Sequence, residues 1–134
     1  MTEITVIVHG PLFDGRAGRM VDHMCTEVQQ DIAELALDTW QLNAEQTFKE
    51  PTGRYQEHMQ IAKRDNADVV TDGWPASGLQ YGPWLEGLGS RNRTTRFKGY
   101  WNLKRAFETT QRYWRRVAQP RVDKWVAEIN EQGG

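Results

Sequence analysis

The sequence holds a single cysteine, Cys25, and no apolar run near the ~18 residues that a membrane span needs. One cysteine excludes an internal disulfide and a multi-cysteine metal cluster. No N-terminal signal pattern is present, so the expectation is a protein made and used in a cytoplasm. The three histidines, His9, His23 and His58, are predicted at a strand end, on a helix and on a strand, without the convergent spacing a metal requires. No serine occupies a nucleophile elbow, and no glycine-rich phosphate loop follows a strand. Gly87-Leu88-Gly89 lacks the third glycine, the preceding parallel strand and the acidic residue of a dinucleotide site. Nothing points to a catalytic residue, a cofactor or a metal. Hydrophobic residues make up 38% of the chain and the mean hydropathy is −0.76, low for a self-sufficient globule. The missing burial is expected from neighbouring subunits.

What the chain does have is a divided charge. Residues 1–90 carry 6 Lys/Arg against 14 Asp/Glu, and residues 91–134 carry 11 against 4, while the whole chain sums to −1. Such polarity suits pairing of opposite charges, within the fold or between adjacent copies. A pI near 6.3 argues against a dedicated nucleic-acid binder.

With 134 residues the chain is one domain, residues 1–134, and its pattern reads as α+β. Ile4 to Val8 is β-branched almost throughout and predicts an edge strand ended by His9-Gly10-Pro11. Asp14 is a candidate N-cap for a helix running to Phe48. Its stripe of Val21, Cys25, Val28, Ile32, Leu35, Thr39 and Leu42 steps by four and three, widened by Met24, Leu37 and Trp40. Cys25 on that stripe reads as an inert packing thiol. Glu27, Asp31, Glu34, Asp38 and Glu45 leave the other side of the helix acidic. Arg54 to Ala62 alternates as a strand, Lys63-Arg64-Asp65-Asn66 turns, and Ala67 to Thr71 returns, making a hairpin. A last helix spans about Tyr100 to Ile129. Its stripe is Leu103, Phe107, Thr110, Trp114 and Val117, then Val122, Trp125 and Ile129, and Pro120 should kink it near Arg116. The expected whole is a small antiparallel sheet, two long helices, and a long aromatic and basic loop.

That loop organises the rest. Residues 72–107 pack Trp74, Tyr81, Trp84, Tyr100 and Trp101 among glycines and prolines, with Arg91, Arg93, Arg96 and Lys98 between them. Pro83 suits the first position of a helical turn, Trp84-Leu85-Glu86, ended by Gly87. Trp84 and Trp101, each near a glycine, are expected to anchor the loop at its two ends. Glu86 reads better as a structural acceptor for loop amides or an arginine than as a general acid, since it has no partner carboxylate. The segment from Arg91 to Arg105 has six Lys/Arg and no acid, interleaved with aromatics. It fits a subunit interface rich in Trp, Tyr and Arg, a stacking site for single-stranded nucleic acid, or a solvated loop.

Tyr81-Gly82-Pro83-Trp84-Leu85-Glu86-Gly87, then Gly89, a basic loop, Phe97 and Leu103-Lys104-Arg105-Ala106-Phe107 resemble the small neck proteins of long-tailed bacteriophages. These are the tail-completion or head–tail connector proteins, and the wording from Ser90 to Arg105 is similar to versions from phages of actinobacteria. Pro83 and the longer basic loop depart from the family pattern. The resemblance implies a structural, non-enzymatic virion protein that forms a ring, six-fold by family habit, around the DNA channel. Its partners would be copies of itself and the adjoining head-closure or adaptor and tail-terminator or tail-tube proteins. Genomic DNA would pass through the lumen, and no membrane is involved. A tail terminator, or a small nucleic-acid-binding protein using residues 91–105, are the rival expectations. Interface residues expected on this view are Trp74, Tyr81, Trp84, Glu86, Arg91, Arg93, Arg96, Lys98, Tyr100 and Trp101. Their arginines would meet Glu27, Asp31, Glu34 or Asp38 of a neighbour, or acids of an adjacent ring.

Overall fold

The computed structural model describes residues 3–8, 15–48, 55–73, 82–93 and 95–133. The elements run β1 (Ile4–Val6), α1 (Gly15–Thr47), a 3-10 turn (Gln56–His58), β2 (Gln60–Arg64) and β3 (Ala67–Thr71). Then come α2 (Gly82–Glu86), a second 3-10 turn (Ser90–Arg93) and α3 (Asn102–Gly133). The α+β architecture is the expected one: an antiparallel sheet of order β1-β3-β2 and two helices of 33 and 32 residues, each about 50 Å long.

β1 is an edge strand, and every residue of the central β3 is buried. Register places Val70 between Ile4 and Ile61, and Asp68 between Val6 and Lys63. Alternation puts Val70 and Asp68 on one face, and Val70 joins the core with Ile4, Val6, Val28 and Ile32. After Val6 the chain leaves the ladder, and the Val8 amide donates to Oε1 of the buried Gln29 at 3.1 Å. The β2–β3 loop is only Asp65-Asn66, so Lys63 and Arg64, expected in the turn, belong to β2. Asp65 takes φ 53°, as the first loop residue of either primed hairpin turn must.

The strand expected from Arg54 is shorter than its alternation suggested. Tyr55 to His58 instead makes a helical turn, with the His58 amide donating to the Tyr55 carbonyl at 3.0 Å. Tyr55 and Met59, four apart, are both buried, a spacing that a helical turn and an alternating strand share, so the alternation concealed the turn. Arg54 lies outside the described residues.

α1 and α3 pack antiparallel along their length. Asn102 Nδ2 donates to Thr47 Oγ1 at 2.8 Å at one end, and Arg121 meets Asp31 toward the other. The buried face of α1 is rotated from the expected stripe. Ala33, Ala36, Trp40 and Ala44 join Val28 and Ile32 at its centre, while Leu42 is 51% exposed. Alanine carries little weight in a hydropathy pattern, yet it lets backbones approach closely; Ala106 and Ala118 do the same on α3. Trp114, expected on the α3 stripe, is 40% exposed. α3 continues through Pro120 as one helix. Asp14 lies outside the described residues, so its capping role does too. Among the described residues no helix is long and apolar enough to cross a membrane.

Candidate interaction site

The segment from α2 to the start of α3 is a locked joint built by two glycines, a carboxylate and an asparagine. Gly87 ends α2 with φ 106°, and Gly99 has φ 96°. Both values favour glycine. The two backbones touch: a Cβ on Gly99 would lie 2.2 Å from the Gly87 Cα, and one on Gly87 would lie 2.5 Å from the Lys98 carbonyl oxygen. The Tyr100 amide donates to the Leu85 carbonyl at 2.7 Å and seals the approach.

Glu86 closes the joint from the other side. Its carboxylate accepts from the Leu103 amide at 2.8 Å and from the Lys104 amide at 3.0 Å, first-turn donors of α3 that have no acceptor within the helix. A residue 17 positions upstream thus caps the helix, and its negative charge complements the helix dipole. Burial pushes the Glu86 carboxyl up from its ordinary range; the two amide bonds and the charge of Arg105 offset this in part. The structural reading of Glu86 holds, with amides rather than an arginine as hydrogen-bond partners. Trp101 reaches its capping position through φ 56°, costly for a non-glycine residue, which is why α3 starts at Asn102 and not at Tyr100. The added Cβ on Gly87 would also meet the Trp101 ring at 2.7 Å, so this tryptophan packs on the joint as an anchor should.

Asn92 organises the loop between, and its role was not legible beforehand. It is buried; its Oδ1 accepts from the Gly89 amide at 2.9 Å and its Nδ2 donates to the Phe97 carbonyl at 3.2 Å. Lys98 Nζ donates to the carbonyls of Asn92 and Arg93 at 2.8 and 3.2 Å, so part of its donor capacity closes the loop rather than facing a partner. An asparagine three residues after a glycine in a polar loop is the faint signal that sequence offered.

Aromatic contacts tie the loop to the core. Phe97 packs on Tyr100 at 4.8 Å, Tyr100 on Phe48 at 5.3 Å, Phe48 on Tyr55 at 5.9 Å, and Tyr55 on the buried Trp40 at 6.3 Å. Tyr55 also donates its hydroxyl proton to Asp72 at 2.6 Å. The loop is therefore braced against α1, and it presents the exposed Arg93, Arg96 and Leu88. Of the expected interface set, the structure brings Glu86, Lys98, Tyr100 and Trp101 into the joint itself. Trp74 and Tyr81, with the side chains of Trp84 and Arg91, lie outside the described residues.

The acids expected to await a neighbour's arginines are partly taken within the chain. Arg121 makes a two-pronged pair with Asp31 at 2.9 and 3.2 Å and reaches Glu27 at 3.4 Å. Trp125 Nε1 donates to Glu27 at 2.5 Å, and its ring stacks on His23. Glu34 and Asp38 remain exposed. Cys25 is half-buried, and burial together with the charge of Asp22 pushes its thiol up, away from the reactive thiolate. Among the described residues no group of three or more His, Cys, Asp or Glu could hold a metal.

No protein-family model, curated protein or solved structure matches this chain.

Proposed function

We propose that this chain is a structural subunit of the neck of a long-tailed bacteriophage, joining the DNA-filled head to the tail as part of a ring around the DNA channel. The observation that carries the reading is the joint. The Glu-Gly pair at the heart of the phage-like motif caps α3 and locks Gly99, fixing a braced loop that offers Arg93 and Arg96 outward. A rigid surface of arginine and aromatic residues serves docking, because little ordering entropy remains to be lost on contact. The partners on this reading are copies of the chain, six by the family resemblance, and the head-closure, adaptor, tail-terminator or tail-tube proteins above and below.

Reversal of Arg93 and Arg96 to glutamate in the phage tests it. Separate heads and tails, with DNA still packaged, are the expected products. Joined particles of normal shape that fail only to retain or eject DNA would instead assign the loop to DNA.

A further inference from the structure

Two long charged stripes of opposite sign lie on α1 and α3, and one chain cannot bring them together. On α1, Glu27, Asp31, Glu34, Asp38 and Glu45 step by four, three, four and seven, which aligns them along one face. From Met20 to Thr47 the helix has no lysine or arginine. On α3, Lys104, Arg105, Arg112, Arg115 and Arg116 share the face turned away from the core, with Glu108 the one acid among them. Both stripes repeat like charges one turn apart: Glu27 with Asp31, Glu34 with Asp38, and Arg112 with Arg116. Such spacings repel within a helix, so each stripe is a standing cost that an opposite surface would relieve.

Among the described residues an ion pair relieves it at one end, where Arg121 takes Asp31 and Glu27. Glu34, Asp38 and Glu45 are exposed, as are the five cations of α3. Ile32, Ala36, Leu103 and Ala106 lie in the shared core, while these charges are exposed. Gln30 donates to Glu34, and Lys104, Arg115 and Arg116 lie over the rings of Trp101, Trp114 and Tyr113, but among the described residues no ion pair reaches these stretches. They match in length, about 17 Å from Glu34 to Glu45 and about 18 Å from Lys104 to Arg116. An exposed apolar residue accompanies each: Leu42 at 51% on α1 and Trp114 at 40% on α3.

We infer that the basic face of α3 docks on the acidic face of α1 in a second copy of this chain. Each copy carries both halves of the contact, and docked head to tail, with different patches meeting, copies propagate into a ring or filament. Duplex DNA is the weaker candidate for the α3 face. The chain as a whole carries −1, and Trp114 and Leu42 give a protein contact the apolar component that phosphates do not use. The inference rests on the reading of the chain as a ring subunit and names the surfaces that would close the ring.

A charge swap tests it by sedimentation of the full chain at low and high salt. One variant carries Glu34→Lys, Asp38→Lys and Glu45→Lys; the other carries Arg112→Glu, Arg115→Glu and Arg116→Glu. The wild type should associate at low salt and dissociate as salt rises. Each variant alone should weaken association about tenfold or more, since several exposed pairs are lost at once. An equimolar mixture of the two, or one chain with all six changes, should restore it. Melting curves show whether each variant folds, and Gln in place of the three arginines or three acids replaces any that does not. A wild type that stays monomeric at low salt up to several hundred micromolar overturns the inference. So does a mixture that fails to recover. A 20-base-pair duplex that binds the wild type and loses affinity only for the α3 variant, without self-association, assigns the face to DNA. Presence of the chain in the virion neck is measured separately, so this contact can fail while the neck reading stands.

Discussion

Gly99 lies back to back with Gly87, so close that an added Cβ would sit 2.2 Å from the Gly87 Cα and 2.3 Å from its nitrogen. Backbone meets backbone there, and no side chain can swing away to make room. At φ 96° Gly99 is also in a conformation that alanine resists. Gly99→Ala should therefore cost about 3 kcal/mol or more, the left-handed penalty and the overpacking acting together. Urea denaturation measures it. A loss under about 1 kcal/mol, small for a core change, would mean that the joint yields easily and does not fix the loop.

Glu86 supplies the second prediction. Glu86→Ala leaves the Leu103 and Lys104 amides without their acceptor and should cost about 2 kcal/mol. Glu86→Gln keeps one acceptor oxygen and should cost less. Because burial raises the folded carboxyl, the folded chain holds its proton to higher pH than the unfolded chain, which titrates near 4.5. Stability tied to that proton is full below this pH and is lost as pH rises through the folded value. Urea melts from pH 4 upward should thus show the wild type losing stability relative to Glu86→Gln. A difference that stays flat across the range contradicts the raised carboxyl.

Asp68 is fully buried on the core face of β3, and among the described residues neither of its oxygens accepts a hydrogen bond. Lys63 Nζ approaches Oδ1 to 2.6 Å from the neighbouring strand, but off the line that a hydrogen bond needs. Lys63 is therefore the countercharge to a desolvated carboxylate. Lys63→Met should cost about 1–3 kcal/mol, and Asp68→Asn added to it should recover much of the loss. Thermal unfolding of the single and double variants decides this. Equal stability of Lys63→Met and the wild type would show that the ion pair contributes nothing.

Much of this fold is legible in the sequence because periodicity reports it. The β-branched run at Ile4, the returning strand at Ala67 and both long helices stand where the patterns put them. The face of α1 was misread because Ala33, Ala36 and Ala44 carry the contact while the larger Leu42 faces out. The turn at Tyr55 hid within an apparent alternation, since four residues separate two buried side chains in either reading. The joint was legible only in its ingredients. Glycines, Pro83 and Glu86 announced special geometry, but contacts across 12 and 17 positions, Gly87 with Gly99 and Glu86 with Leu103, leave no local pattern. Arg121 with Asp31, 90 positions apart, was equally invisible: the divided charge left pairing within the fold or between copies open, and Asp31 was expected to meet a neighbour's arginine.

On the proposed function this chain is a ring subunit at the junction of head and tail. Density for intact virions, traced to this sequence, tests it most directly. The expected result is a closed ring of copies in the neck, six-fold, with the 88–98 loop and the two charged helices at contacts between subunits or between rings. A chain that is absent from the particle, or present only as an isolated copy touching no other, would contradict it.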